Sequence, residues 1–262
     1  MEQLTIRGLA VSHQRVAGAD RVVLVHGTMD RASSLRKVVR RLPDLDCTVY
    51  DRRGYGGSID AGTADTITAH VDDLLAVVGD VPAVVFGHSL GGVVALAAAA
   101  RRPDVVPAVV AYEAPLSWVS WWPRSSAGSR AVHDHGDDPG GAAEAFMRRM
   151  IGDELWQRLP ARTRAARRAE GPALLAEMAA LRTAAAPFRP DDVHVPVVVA
   201  RGTESAAHHR RGAEELAAVL PDAVLVDLDG AGHGAHLTHP GAVADLIHRA
   251  VPRPAITRLA PS

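Results

Sequence analysis

The 262-residue chain has one cysteine, so no internal disulfide can form and a small cross-linked secreted fold is excluded. No apolar run reaches the length of a membrane span, because arginine or proline interrupts the longest of them. The N-terminus lacks the charged-then-apolar pattern of a secretory signal, so a cytoplasmic location is expected, with an already trimmed secreted enzyme as the alternative. Charge of either sign is not in excess. At a net charge of −1 neither nucleic acid nor a membrane surface is an expected partner. The arginines between Arg158 and Arg168 are spaced by alanines and read as a solvated helix face. Cys47 lies in the strand-like run Cys47-Thr48-Val49-Tyr50 and is expected to be a small core residue.

What is present is apolar. A hydrophobic content of 47% supports a substantial core, in one large α/β domain with an insertion or in two small domains. Strand-length runs alternate with helical patterns, which argues for βαβ units and a mostly parallel sheet. Strands are expected over Leu4 to Val11 at an edge, then Arg21 to Val25, Cys47 to Arg52, Ala83 to Phe86, Val105 to Tyr112, Val195 to Ala200 and Ala223 to Leu228. Helices are expected from Ser33 or Ser34 to Arg41, and over Thr66 to Val78, Leu90 to Arg101, His208 to Leu220 and Pro240 to Ala250. Leu116 to about Pro190 contains no strand-like run, only helical stretches such as Ala142 to Arg149 and Pro172 to Thr183, and reads as an all-helical insertion. The last residues, from Pro252, read as a loose tail.

The most specific signal is Gly87-His88-Ser89-Leu90-Gly91, a Gly-x-Ser-x-Gly turn between an apolar strand and an alanine-rich helix. This is the context of a nucleophile elbow, where glycines permit a sharp turn and leave the serine hydroxyl exposed above the sheet. A serine hydroxyl needs a base, and the base needs a group to orient it. His233, in the flexible Gly230-Ala231-Gly232-His233-Gly234 loop after the last strand, is the favoured base. His236 is the alternative, and His239 reads as a helix-start residue. An oxyanion hole would draw on the N–H of Leu90, opening the elbow helix, and of Thr28 or less favourably Met29, in the turn His26-Gly27-Thr28.

Val25-His26-Gly27-Thr28, Tyr50-Asp51-Arg52-Arg53-Gly54-Tyr55-Gly56-Gly57-Ser58, Gly87-His88-Ser89-Leu90-Gly91-Gly92 and Gly230-Ala231-Gly232-His233, in this order, resemble the α/β-hydrolase superfamily. The resemblance covers nearly the whole chain outside the insertion. It implies a mostly parallel eight-stranded sheet flanked by helices, with a helical cap after strand six. Residues 1–115 and 191–262 would form the core and 116–190 the cap. The commonest acid position in the superfamily, Gly-x-x-Asp after the seventh strand, reads Gly202-Thr203-Glu204-Ser205 here, with serine where the acid is expected. Glu113, ending the sixth strand, resembles the acid of some haloalkane dehalogenases. It is favoured, with Glu204 as the alternative.

Three of the four tryptophans, Trp118, Trp121 and Trp122, follow the sixth strand where a cap would roof the serine, and with Met29 and His88 they are the expected pocket. Packing of the cap accounts for the tryptophans equally well. Phe146, Met147 and Met150 fit an inward helix face. The His133-Asp134-His135-Gly136-Asp137-Asp138 stretch reads as a polar loop and His208-His209 as a helix start, and neither has metal-site spacing. The expected function is a serine hydrolase acting through an acyl-enzyme on an ester, thioester or lactone with an apolar portion. It would need no cofactor and no metal, its partner would be a small molecule, and it would be a monomer or homodimer. Acyl transfer, perhydrolysis, amide or carbon–carbon cleavage, a lyase reaction and a non-catalytic ligand-binding receptor are the alternatives. Aspartate-nucleophile dehalogenase or epoxide hydrolase chemistry is not expected, since Ser89 stands at the nucleophile.

Overall fold

The computed structural model describes residues 1–252 apart from 125, 183 and 184. Most of the tail expected from Pro252 therefore lies outside the described residues. Eight strands form one sheet: β1 (Glu2–Ile6), β2 (Leu9–Gln14), β3 (Arg21–Val25), β4 (Asp46–Tyr50), β5 (Val84–His88), β6 (Val109–Tyr112), β7 (Val197–Gly202) and β8 (Ala223–Leu228). Their order across the sheet is β1-β2-β4-β3-β5-β6-β7-β8. β1 and β2 run antiparallel to their neighbours, and β3 to β8 are parallel.

The single strand expected over Leu4 to Val11 is two strands. Arg7 and Gly8 both take positive φ, 52° and 81°, in a two-residue turn that folds β1 back on β2. The sixth strand starts at Val109 instead of Val105. The N–H groups of Val105 and Val106 are drawn into a turn on the Arg102 carbonyl, and Pro107 has no N–H to offer a ladder.

Eleven α-helices occur among the described residues. On the core side are α1 (Arg36–Val39), α2 (Ile67–Val78) and α3 (Leu90–Arg101). Between β6 and β7 come α4 (Ala127–His135), α5 (Pro139–Ile151), α6 (Asp153–Arg158), α7 (Ala161–Arg168) and α8 (Gly171–Arg182). The chain ends with α9 (Ala207–Val219), α10 (Ala235–Thr238) and α11 (Pro240–Ala250). Where one helix was expected up to Arg41, a 3₁₀ turn over Ala32–Leu35 precedes a short α1. Thr66 caps α2, its hydroxyl accepting from the Ala69 N–H at 3.1 Å.

The pleat sends alternate residues of the parallel strands to opposite faces. Val23, Val85, Val109 and Val199 pack with α2, α3 and α9, whereas Leu24, Phe86, Val110 and Val198 pack with α1 and α11. Both faces are covered, so these strands read as continuous apolar runs in the sequence. Every residue of α3 from Leu90 to Ala99 is buried, and its alanines let the helix lie close on the sheet. Cys47 is free and fully buried on the other face, and burial pushes its thiol up to about 12.

A third apolar cluster joins Ala142, Phe146, Met147, Trp156 and Leu174 to Met29 and Tyr55. Two core-side residues thus complete the packing of the helical segment. The stretch expected as a polar loop is helical through His135, within α4. Met150 departs from the inward face expected of it: it is 44% exposed, one turn beyond Phe146 near the end of α5. α7 buries no residue, consistent with its arginine-rich sequence.

Candidate active site

Parallel strands bring their C-terminal ends to one edge, and four of them meet there: the turn after β3, Ser89 after β5, Glu113 after β6 and the loop after β8. Ser89 sits at φ 53°, ψ −123°, a conformation a side chain adopts only under strain. The turn closes because glycines flank it. A Cβ on Gly87 would lie 2.3 Å from the Gly91 carbonyl oxygen, and one on Gly91 would lie 2.4 Å from that of Val25. Met29 and Glu113 also take positive φ, 53° and 48°. Among the described residues, three of the four non-glycine residues with positive φ therefore lie at this edge; the fourth is Arg7 of the hairpin.

Glu113 is buried and its carboxylate is used at both oxygens. Oε1 accepts from the Gly202 N–H at 2.8 Å, and Oε2 lies 2.6 Å from His233 Nδ1. Since a carboxylate only accepts, Nδ1 carries the proton and Nε2 presents a lone pair. Two further contacts hold the histidine loop. Tyr112 Oη donates to the Gly232 carbonyl at 2.8 Å, and His88 Nε2 donates to the His233 carbonyl at 2.8 Å. Glu204 is exposed, and its backbone N–H is tied to the Ala231 carbonyl. Ser205 fills the commoner acid position as a buried hydroxyl.

Thr28 and Leu90 both border the cleft above Ser89. Neither N–H is taken by another group among the described residues. The turn carrying Thr28 is fixed from below. His26, fully buried, donates from Nδ1 to the Gly27 carbonyl and accepts at Nε2 from the Arg52 N–H. Burial, then the nearby Arg52 charge, lowers His26 to about 4, so it is a neutral post at physiological pH. The Arg52 guanidinium donates to the carbonyls of His26 and Gly27 and pairs with Glu177 of α8 at 2.5 Å, all within the protein interior. The sequence motif around Arg52 was visible, but nothing local in it named Glu177 as its partner.

The His233 ring is surrounded by imidazoles. His209 stacks on His233 with ring centroids 4.2 Å apart at 17°, and Trp122 meets His209 edge-on at 5.7 Å. His88 lies 4.8 Å from His233 on its way to His236, 4.3 Å further along. Burial, followed by His233 and His208, pushes His209 down to about 2, so this stacked ring is neutral. His236, the alternative base, is buried against Asp30, with Nε2 at 3.1 Å from Oδ2. Burial works to raise the Asp30 carboxyl, but its contact with His236 and that ring's charge outweigh this and hold it below the ordinary range. His239 precedes α11 as expected of a helix-start residue.

Among the described residues, two sets of side chains bring their ligand-type atoms within 4.8 Å of one another: Asp30, His88 and His236, and Glu113, His209 and His233. The second contains the carboxylate–imidazole pair. In the first, Asp30 already accepts from the Ser34 hydroxyl and the Arg31 N–H while facing His236.

A cleft of about 1730 Å³ opens over Ser89 between the sheet edge and the helical segment. Met29, His88, Trp118 and Trp122 border it, as do Phe146, Met147 and Met150. Trp121 does not. Its indole N–H donates to Glu215 and its ring lies under Arg211, both on α9, so it faces away from the cleft.

The sequence matches the alpha/beta hydrolase family over residues 22–246. It is 33% identical over 222 residues to a pimeloyl-[acyl-carrier protein] methyl ester esterase of Aromatoleum aromaticum, covering 76% of this chain and 84% of that one. A match of 38% identity over 105 residues to lipase LipV of Mycobacterium tuberculosis spans 39% of this chain and 40% of the lipase. Among solved structures, the enol-lactonase from Burkholderia xenovorans LB400 superposes with a TM-score of 0.74 at 23% identity, over 95% of this chain and 98% of the other, which shows a shared fold. With the doubly covered sheet, the elbow serine and a match running through most of its length, the chain belongs to the alpha/beta hydrolase family.

Proposed function

We propose that the protein is a serine hydrolase that cleaves an ester, thioester or lactone with an apolar portion. The carrying observation is the 2.6 Å contact between buried Glu113 and His233, in a cleft that also contains the strained Ser89. The relatives named as a methyl ester esterase and a lipase support ester cleavage. Ser89 Oγ attacks the carbonyl carbon while its proton passes to His233 Nε2, and the oxyanion accepts from the N–H groups of Leu90 and Thr28. The imidazolium is stabilised by Glu113. Collapse expels the alcohol or thiol, which takes the proton from His233 and leaves an acyl-Ser89. Water then attacks the acyl carbon and gives its proton to His233. The second tetrahedral intermediate releases the acid and returns the proton to Ser89.

Residues 116–190 act as a cap over a core of residues 1–115 and 191–262, and Trp118 and Trp122 contribute apolar wall to the substrate site. The single buried cysteine suits a reducing cytoplasm. No described helix is long and apolar enough to cross a membrane. The test is treatment with a fluorophosphonate probe alongside short-chain nitrophenyl esters. Labelling at Ser89 together with ester turnover is expected; a folded protein that is neither labelled nor active on any ester of the panel would refute the reading.

A further inference from the structure

The cleft carries an unbalanced charge. Of its lining side chains among the described residues, only Asp30 is acidic, and it is occupied by His236 and the Ser34 hydroxyl. Five arginines line the same space. Arg167 is bound to Glu170 at 3.1 Å, but Arg124, Arg130, Arg149 and Arg182 are exposed and have no carboxylate partner among the described residues. They come from four separate places: the chain before α4, α4 itself, α5 and the end of α8. Neighbouring arginines on the same segment are neutralised, Arg148 by Glu144 and Asp153, and Arg168 by Glu144. This concentration of cations arises in a chain whose net charge is −1, so it is local to the cleft.

Trp118, Phe146, Met147 and Leu181 add apolar wall to a cleft that reaches Ser89. A nucleophile, an apolar wall and a set of unpaired guanidinium groups in one cavity complement a specific kind of molecule. Guanidinium groups bind carboxylate and phosphate oxygens through paired N–H donors, and a cleft of one sign concentrates ligands of the other. We propose that the substrate is an ester or thioester whose acyl portion carries an anionic group, a carboxylate or a phosphate-type group, separated from the scissile bond by an apolar spacer. Arg124, Arg130, Arg149 and Arg182 receive that group. The inference rests on the hydrolase reading for its reaction, and on the charge of the cleft for its substrate class.

The test compares mono(4-nitrophenyl) adipate with 4-nitrophenyl hexanoate, which share the acyl length and differ in one terminal carboxylate. A 6-phosphonohexanoyl ester serves as a third arm. At low ionic strength kcat/KM for an anionic ester is expected to exceed that for the neutral one about tenfold, with the ratio shrinking as salt screens the cleft. The larger of the two anionic ratios identifies carboxylate or phosphate-type chemistry. Replacing the four arginines together by glutamine should bring the ratio close to one, and replacement by lysine should retain most of it. A wild-type ratio of one or less overturns the proposal, as does an unchanged ratio in the glutamine variant.

Calorimetry on the Ser89→Ala protein, with monomethyl adipate against methyl hexanoate, reads the same preference without turnover. Tighter binding of the anion that disappears on Arg→Gln replacement supports the proposal, and equal binding overturns it. If no ester is turned over and Ser89 is not labelled by a fluorophosphonate, the hydrolase reading fails. The binding comparison still decides the anion preference.

Discussion

The imidazole of His209 lies flat against that of His233, 4.2 Å away and 17° from parallel. His209 belongs to the first turn of α9 and is backed edge-on by Trp122, so the indole bears on His233 through one intervening ring. Under the proposed mechanism His209 is a positioning residue, acting through His233. Removing such a ring pair costs about 0.5–1.5 kcal/mol, a two- to tenfold fall in rate. His209→Ala should lower kcat/KM by about that factor and shift the acidic limb of the pH–rate profile, while His209→Phe restores most of the rate. An unshifted profile in the alanine variant, with equal loss in the phenylalanine variant, would indicate a purely structural role.

Glu113 and Glu204 make opposite predictions. Glu113→Gln keeps the shape but can leave Nδ1 facing an amide N–H, so kcat should fall about 10⁴-fold, as loss of the orienting carboxylate does in serine enzymes. Glu204→Gln alters an exposed side chain and should stay within about twofold of the parent. Steady-state kinetics on one nitrophenyl ester settles the assignment, and the reverse ranking would move the acid to Glu204.

Ser89 holds a positive φ that glycine adopts without strain. Strain of this kind costs about 1–3 kcal/mol. Ser89→Gly should therefore be more stable than Ser89→Ala by about 1 kcal/mol in denaturant melts, although both are inactive. Coincident midpoints for the two variants would show that the elbow stores no strain.

Acid should weaken the fold at unusually mild pH. His26 titrates at about 4 in the folded protein and near 6.5 when unfolded. Between these values the unfolded imidazole binds a proton that the folded one refuses, so unfolding takes up protons and stability falls as pH falls. The contribution is fully present above about pH 6.5, and as much as about 3 kcal/mol of it is lost by pH 4. His209, pushed down to about 2, acts in the same direction over the same interval and below it. Urea midpoints measured from pH 7.5 to 4.5 should decline steadily, and a flat profile down to pH 5 would contradict the buried neutral state of His26.

Much of the site could be read from the sequence because its signals are local. The strand before Ser89, the glycines on either side of it and the apolar helix after it lie within one short stretch, and the glycine-rich His233 loop directly follows a strand. What escaped depends on distant segments meeting. Leu4 to Val11 alternates smoothly enough to read as one strand, since nothing marks an arginine at position 7 as a residue with positive φ. Which of the two glutamates meets His233 depends on which side chain reaches across β7 to the β8 loop, and Glu113 does so while Glu204 is exposed. His209 was legible as a helix start, but its stacking depends on where α9 begins against that loop. Trp121 was expected to line the pocket with Trp118 and Trp122 and instead turns to α9 while still touching Trp122, because Arg211 and Glu215 on successive turns of that helix bind it.

The buried Arg52 limits how this protein can be rebuilt. One guanidinium grips the carbonyls of His26 and Gly27 and, at the same time, Glu177 of α8. Exchanging the helical segment for that of another hydrolase would strand a cation under the turn that presents Thr28 unless the incoming helix brought a carboxylate to the same place. An uncompensated buried charge of this kind destabilises by about 3–5 kcal/mol. For recombination, the segment and Arg52 are a single heritable unit, and specificity is more safely changed at the arginines of the cleft than by transplanting the segment whole.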